Sequence, residues 1–204
     1  MGGSQNDKLR EWRKAQREAL VAARQFVDPV TLGQWRAAID QFLERGFSDL
    51  SAGIVAFCWP IKNEYDARPL AHRLRARGGT TALPVVIAPR TPLEFREWHP
   101  GVELAIGALD IPYPKDSPKV VPTTLLVPMN GFDGAGYRLG YGAGFFDRTL
   151  ATLPVRPRTI GVAYELSRMA TIRPQSYDIP MDFVVTERAL YRRVDGELVA
   201  DGPG

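Results

Sequence analysis

The chain has 204 residues, of which 45% are apolar and 24% charged, with a net charge of +3 and a single cysteine. That is enough chain for one well-cored domain; the composition excludes a disordered polyelectrolyte, and the lone thiol excludes an internal disulfide framework. With no apolar run of membrane-spanning length and a polar N-terminus, a cytoplasmic protein with no membrane partner is expected, and the mild positive charge suits a polyanionic small molecule at least as well as nucleic acid.

Residues 1–6 read as an unstructured start, 7–197 as a single domain and 198–204 as a tail. Asp7 to Arg24 contains no Gly or Pro and repeats Leu9, Trp12, Ala15 or Gln16, Ala19 and Leu20 at helical spacing, which predicts an amphipathic helix. Its other face carries Lys8, Arg10, Arg13, Lys14, Arg17 and Arg24, a pattern that by itself means a solvated basic surface. A second amphipathic helix is predicted over Thr31–Arg45, with Leu32, Trp35, Ile39, Phe42 and Leu43 on one face and Gly46 at its end.

Gly53–Trp59 reads as a buried central strand closed by Pro60, with Cys58 as a small core residue. A helix over Pro69–Ala76 and a strand over Pro84–Ala88 follow, and strands are predicted again at Leu125–Val127, at Thr159–Tyr164 and shortly beyond Ala189. This alternation predicts a layered α/β domain with a largely parallel sheet. The loop Trp59–Glu64 then lies past the carboxyl end of a strand, where ligands collect in open α/β sheets. Glu64 there is either a helix-start acid or an acceptor for a ligand. His99 has no Cys, His or Asp cluster around it, so a zinc site is not expected.

The densest signal is Leu125–Leu150. A short apolar strand ends at Pro128; six glycines follow within residues 131–144, and Phe145-Phe146-Asp147-Arg148 opens a helix. Strand, glycine loop and helix start together present backbone N–H groups and a positive helix end to an anion. The loop lacks the Gly-Lys-Ser/Thr of a P-loop and the glycine spacing of a dinucleotide site. Arg138 can neutralise a phosphate and Asp147 can hold a hard cation.

The run Arg138-Leu139-Gly140-Tyr141-Gly142-Ala143-Gly144-Phe145-Phe146-Asp147-Arg148, preceded by Phe132-Asp133, resembles the signature of the 5-formyltetrahydrofolate cyclo-ligase family, also called 5,10-methenyltetrahydrofolate synthetases. Asp178-Ile179-Pro180-Met181-Asp182 resembles its closing motif. The resemblance implies a single three-layer α/β/α domain related to sugar-phosphate isomerase and CoA-transferase folds. It implies conversion of 5-formyltetrahydrofolate and ATP to 5,10-methenyltetrahydrofolate, ADP and phosphate, with Mg²⁺. Carried over residue by residue, it implies catalytic roles for Arg138, Tyr141 and Asp147. ATP contacts would come from Lys8, Arg10, Arg138, Leu139, Gly140, Tyr141, Gly142, Ala143, Gly144, Phe145 and Phe146. Folate contacts would come from Trp59, Glu64, Tyr141, Gly142, Ala143, Gly144 and Phe145. Asp147 and Asp178 would bind the metal.

The resemblance also implies that the basic N-terminal helix reaches over the nucleotide, with Leu9-Arg10, Arg17, Ala19 and Leu20 at matching spacing. The chain departs from the family pattern at several places. The family's lysine before Arg10 falls on Asn6, with Lys8 as substitute; a family glutamine falls on Ser167; and Tyr177 stands where histidine is common. Those departures leave open a relative that binds nucleotide, folate or RNA without ligase chemistry; the shared fold leaves open a CoA- or sugar-phosphate-binding enzyme, although no catalytic glutamate loop of that sort is evident. Oligomeric state is not legible.

Overall fold

The computed structural model describes residues 2–201. In chain order the elements are α1 (Gly2–Gln25), α2 (Pro29–Gly46), β1 (Ile54–Ala56), α3 (Arg68–Ala76), β2 (Thr80–Val85), β3 (Glu94–Trp98), β4 (Leu104–Ile106), β5 (Pro112–Pro114), β6 (Thr124–Pro128), β7 (Gly131–Phe132), β8 (Arg138–Leu139), α4 (Phe145–Thr152), β9 (Arg158–Val162), β10 (Phe183–Val185), β11 (Leu190–Val194) and β12 (Glu197–Ala200). Eight strands form one sheet in the order β12-β11-β10-β9-β6-β1-β2-β3. The inner strands β2, β1, β6, β9 and β10 pair in parallel, and the outer pairings β2–β3, β10–β11 and β11–β12 are antiparallel.

The apolar runs of the central strands bury both faces of this sheet, as parallel sheets require. Val55, Phe57 and Leu126 belong to one core with Ile39 and Leu43 of α2 and Leu70, Ala71 and Leu74 of α3. Ala56, Leu125 and Val127 belong to the other, with Leu150 of α4 and Phe132. The result is the expected three-layer α/β/α arrangement with α2 and α3 on one face and α4 on the other. Ile39 and Leu43 are fully buried, and each contributes about 1.5–3 kcal/mol of burial energy. The start of α2 is set by Asp28, whose Oδ1 accepts from the N–H groups of Val30 and Thr31 at 3.0 Å, with Pro29 opening the first turn. No helix of the described residues is long and apolar enough to cross a membrane.

Several elements differ from expectation. The first helix starts at Gly2 rather than Asp7; nothing in residues 2–6 forbids helix, and with no proline there the helix extends through the predicted unstructured start. The strand predicted at Gly53–Trp59 keeps only Ile54–Ala56, plus one further bond from Phe57 N–H to Ala82 O, before Pro60 carries the chain away. The next strand lies at Thr80–Val85, earlier than Pro84–Ala88. Beyond Ala82 it has no β1 residue beside it, so Pro84 leaves no ladder bond unmade.

The predicted tail is also corrected. Leu198–Ala200 belong to β12, joined to β11 through Asp195 and Gly196, both at positive φ. That is the Asp-Gly turn of a tight hairpin. Met1 and residues 202–204 lie outside the described residues.

Candidate active site

The glycine loop connects β8 to α4 at the floor of a cleft of about 1730 Å³. Single small-molecule sites typically span about 300–1,000 Å³, so this cleft has room for two ligands side by side. Gly142 and Gly144 adopt φ of +94° and +67°, a region that costs other residues strain. A Cβ on Gly142 would stand 3.1 Å from the Arg17 guanidinium, and one on Gly144 would stand 3.0 Å from that of Arg148. Glycine at these positions therefore lets two cations close on the loop. The first N–H groups of α4 have no intrahelical partner and bring the positive helix end to the same place.

Two carboxylates flank that end, each held by an arginine. Asp147, in the first turn of α4, has its Oδ1 2.9 Å from Arg138 and also accepts from Ile179 N–H at 3.0 Å. Asp178 Oδ2 accepts from Arg13 at 2.6 Å and from Gln175 N–H at 2.7 Å. Burial of Arg138 draws its guanidinium below the usual value, and Asp147 and then Asp178 oppose that shift. Among the described residues all these bonds fall on one oxygen of each acid. Asp147 Oδ2 and Asp178 Oδ1 remain for another ligand. No group of three or more His, Cys, Asp or Glu gathers as a metal site among the described residues. A pair of carboxylates is nevertheless sufficient for an ion that takes its other ligands from phosphate and water.

On the other side of the loop Glu64 is buried. Its Oε1 accepts from the Tyr141 hydroxyl at 2.9 Å, and its Oε2 from Ile61 N–H at 3.1 Å. Burial pushes the Glu64 carboxyl above its ordinary range, against the backbone bond from Ile61 and the charge of Arg24. Burial also raises the Tyr141 phenol, as does Glu64. Trp59 lines the same part of the cleft, with the Arg68 guanidinium 4.7 Å from its ring centroid. Cys58, expected in the core, is half-buried at the cleft wall; burial and Glu64 both push its thiol up, away from the thiolate form.

The structure therefore brings together Trp59, Glu64, Arg138, Asp147, Asp178 and the loop Gly140–Phe146 in one cleft. Leu139 lines it as well, although its side chain is buried. Arg10 reaches only the rim, its side chain 84% exposed and near Asp7. Lys8 is exposed and does not line the cleft, because two residues along a helix is about 200° of rotation from Arg10.

The basic face of α1 is the main correction. The stripe that α1 turns inward is Leu9, Trp12, Arg13, Gln16, Arg17, Leu20 and Arg24, whereas Ala15 and Ala19 are exposed. Arg13 and Arg17 belong to the site and Arg24 is buried beneath it, so none of the three is a solvated surface charge. Arg13 fastens the helix to the far wall by donating to Ile172 O and Arg173 O as well as to Asp178. Arg17 Nε and Arg148 Nε are buried without a hydrogen-bond partner among the described residues. Burial and the neighbouring Arg13 lower the Arg17 guanidinium from its usual value.

The model of the 5-formyltetrahydrofolate cyclo-ligase family matches residues 7–187. The chain belongs to this family. It is 34% identical over 143 residues to the 5-formyltetrahydrofolate cyclo-ligase of Escherichia coli (strain K12), covering 66% of this chain and 78% of that protein. The cyclo-ligase of Mycolicibacterium smegmatis is 28% identical over 137 residues, 63% of this chain and 71% of that protein. The solved structure of Aquifex aeolicus 5,10-methenyltetrahydrofolate synthetase superposes with a TM-score of 0.77 at 26% identity, covering 93% of this chain and 97% of that one. The Mycoplasma pneumoniae synthetase shares the fold at a TM-score of 0.71 and 21% identity.

Proposed function

We propose that this chain converts 5-formyltetrahydrofolate and ATP to 5,10-methenyltetrahydrofolate, ADP and phosphate, in the cytoplasm and with Mg²⁺. One observation supports the reading above the others. A single loop separates an arginine–carboxylate cluster of Arg13, Arg138, Asp147 and Asp178 from a buried acceptor, Glu64, inside a cleft large enough for both substrates.

In this reaction the formyl oxygen attacks the γ-phosphorus and the bond to the β-phosphate bridging oxygen breaks, releasing ADP. The N10 lone pair then adds to the activated carbon and N10 loses its proton. Phosphate departs with the former formyl oxygen. Such a transfer asks the protein for position and charge rather than for a nucleophile, and no nucleophile–base pair is evident among the described residues of the cleft.

Arg17, Arg138 and Arg148, with the glycine-loop N–H groups, are suited to the polyphosphate. Glu64 is suited to the donor-rich edge of the pterin, and Trp59 to its ring. Asp147 and Asp178 would hold the metal through their remaining oxygens, and the metal would neutralise phosphate charge.

The test follows methenyl absorbance with 5-formyltetrahydrofolate and Mg-ATP. Asp147→Ala should lose several orders of magnitude of turnover with modest change in folate affinity. A parent protein that binds both ligands without forming product would favour a binding role instead.

A further inference from the structure

We propose that Arg24 is a positioning residue of the folate side. From the last turn of α1 it holds the Glu64 carboxylate and the Tyr141 hydroxyl together and keeps Glu64 an ionised acceptor. The inference rests on the reading of Glu64 as a folate contact.

The Arg24 side chain is 3% exposed, a rare place for a guanidinium. Its Nε donates to Lys62 O at 2.8 Å, and its Nη2 to Asn130 Oδ1 at 3.2 Å and to the Tyr141 hydroxyl oxygen at 3.3 Å. The same Nη2 lies 3.8 Å from Glu64 Oε1. Tyr141 donates onward to that oxygen at 2.9 Å. Arg24, Tyr141 and Glu64 therefore close a triangle from three separate segments: the end of α1, the glycine loop and the loop after β1.

Two physical arguments give the triangle a role. A buried carboxylate needs a compensating charge or it takes up a proton, and among the described residues Arg24 is the buried cation near Glu64. The other groups around Glu64 are Lys62 on its own loop, which is exposed, the Tyr141 phenol from the glycine loop and the Cys58 thiol at the end of β1. Tyr164 faces Arg24 from the end of β9. Once protonated, Glu64 would offer a donor where a pterin edge needs an acceptor.

Tyr141 is the second argument. The residue is 40% exposed and lies between Gly140 and Gly142, which restrain it little. The hydroxyl bonds to Glu64 and Arg24 tie this end of the loop down. The Asn130 amide nitrogen, buried and without a partner among the described residues, belongs to the same polar pocket.

The experiment compares the parent with R24M and R24K by equilibrium binding of 5-formyltetrahydrofolate, followed by intrinsic fluorescence between pH 5.5 and 9, and by turnover. R24M should weaken folate binding about 10- to 100-fold at neutral pH, the range of one charge-assisted bond. The pH at which affinity falls on acidification should lie higher in R24M than in the parent. R24K should return part of the affinity and the parent's pH dependence, and ATP binding should stay within about threefold. Below the pH at which R24M loses affinity, E64Q in that background should add no further loss, since the carboxylate it removes is protonated there.

Unchanged folate affinity in R24M, or a loss of equal size at every pH, would overturn the proposal. Where R24M does not fold, R24Q replaces it with the same two criteria. A parent that binds folate without turnover sinks the ligase reading and leaves the binding test of Arg24 intact.

Discussion

Replacing Arg138 by methionine separates the electrostatic role of that residue from its structural one. Its side chain is 5% exposed and makes two bonds, to Asp147 Oδ1 at 2.9 Å and to Ile179 O at 2.7 Å. A hydrogen bond to a charged group contributes about 1.5–3 kcal/mol. The desolvation of a buried guanidinium offsets part of that, and methionine fills most of the volume. Asp147 is 22% exposed, so water can reach the carboxylate once Arg138 is gone. The net loss of stability should therefore be about 2–3 kcal/mol, a fraction of the usual 5–15 kcal/mol for a folded domain.

Turnover should fall much further, by about 100- to 1,000-fold, because a preorganised donor aimed at the transferring group is worth that much. R138K should recover little, since one ammonium cannot span both partners as the guanidinium fork does. Urea unfolding gives the first quantity and methenyl absorbance the second. A folded R138M with more than a tenth of the parent's turnover would refute the reasoning.

Gly142→Ala should lower stability by less than about 2 kcal/mol, the scale of one residue forced to positive φ. It should nevertheless raise the KM for ATP at least tenfold by displacing Arg17, as steady-state kinetics will show. Alkaline pH gives a separate check. Burial raises the phenols of Tyr65, Tyr141 and Tyr164, that of Tyr164 to about 12. Above pH 10 the unfolded chain releases protons that the folded one keeps, so stability falls as pH rises, by up to about 1.4 kcal/mol per pH unit for each tyrosine. Tyr164→Phe should remove one proton from that slope between pH 10 and 12 in urea titrations, with little effect at pH 7.

The glycine loop, the start of α4 and the two-faced core strands were legible because each is written in a contiguous stretch. Pro128, the glycines and Asp147 act on their own neighbours. The acid pair required the resemblance, since only the fold brings the segment of Asp178 beside Asp147, through Ile179 N–H.

Residue pattern alone places the arginines of α1 in solvent, whereas the resemblance implies a basic helix over the nucleotide. Arg13, Arg17, Leu20 and Arg24 recur at spacings of four, three and four, which is a buried face by geometry. Hydrophobicity alone marks the wrong inward face where a helix packs its arginines against carboxylates, as Arg13 does on Asp178 and Arg24 beside Glu64. The final hairpin was missed although Asp195-Gly196 is a strong turn signal, because Arg192, Arg193 and Glu197 blur the apolar alternation around it.

Tyr141 and Asp147 are carried by one unbroken peptide, the first moored to Glu64 and the second to Arg138 and the Ile179 amide. If folate binds at the first mooring and ATP at the second, as proposed, a taut peptide between them would link the two dissociation constants and a slack one would not. Thermodynamic reciprocity then sets the size: whatever factor ATP applies to folate, folate must apply to ATP.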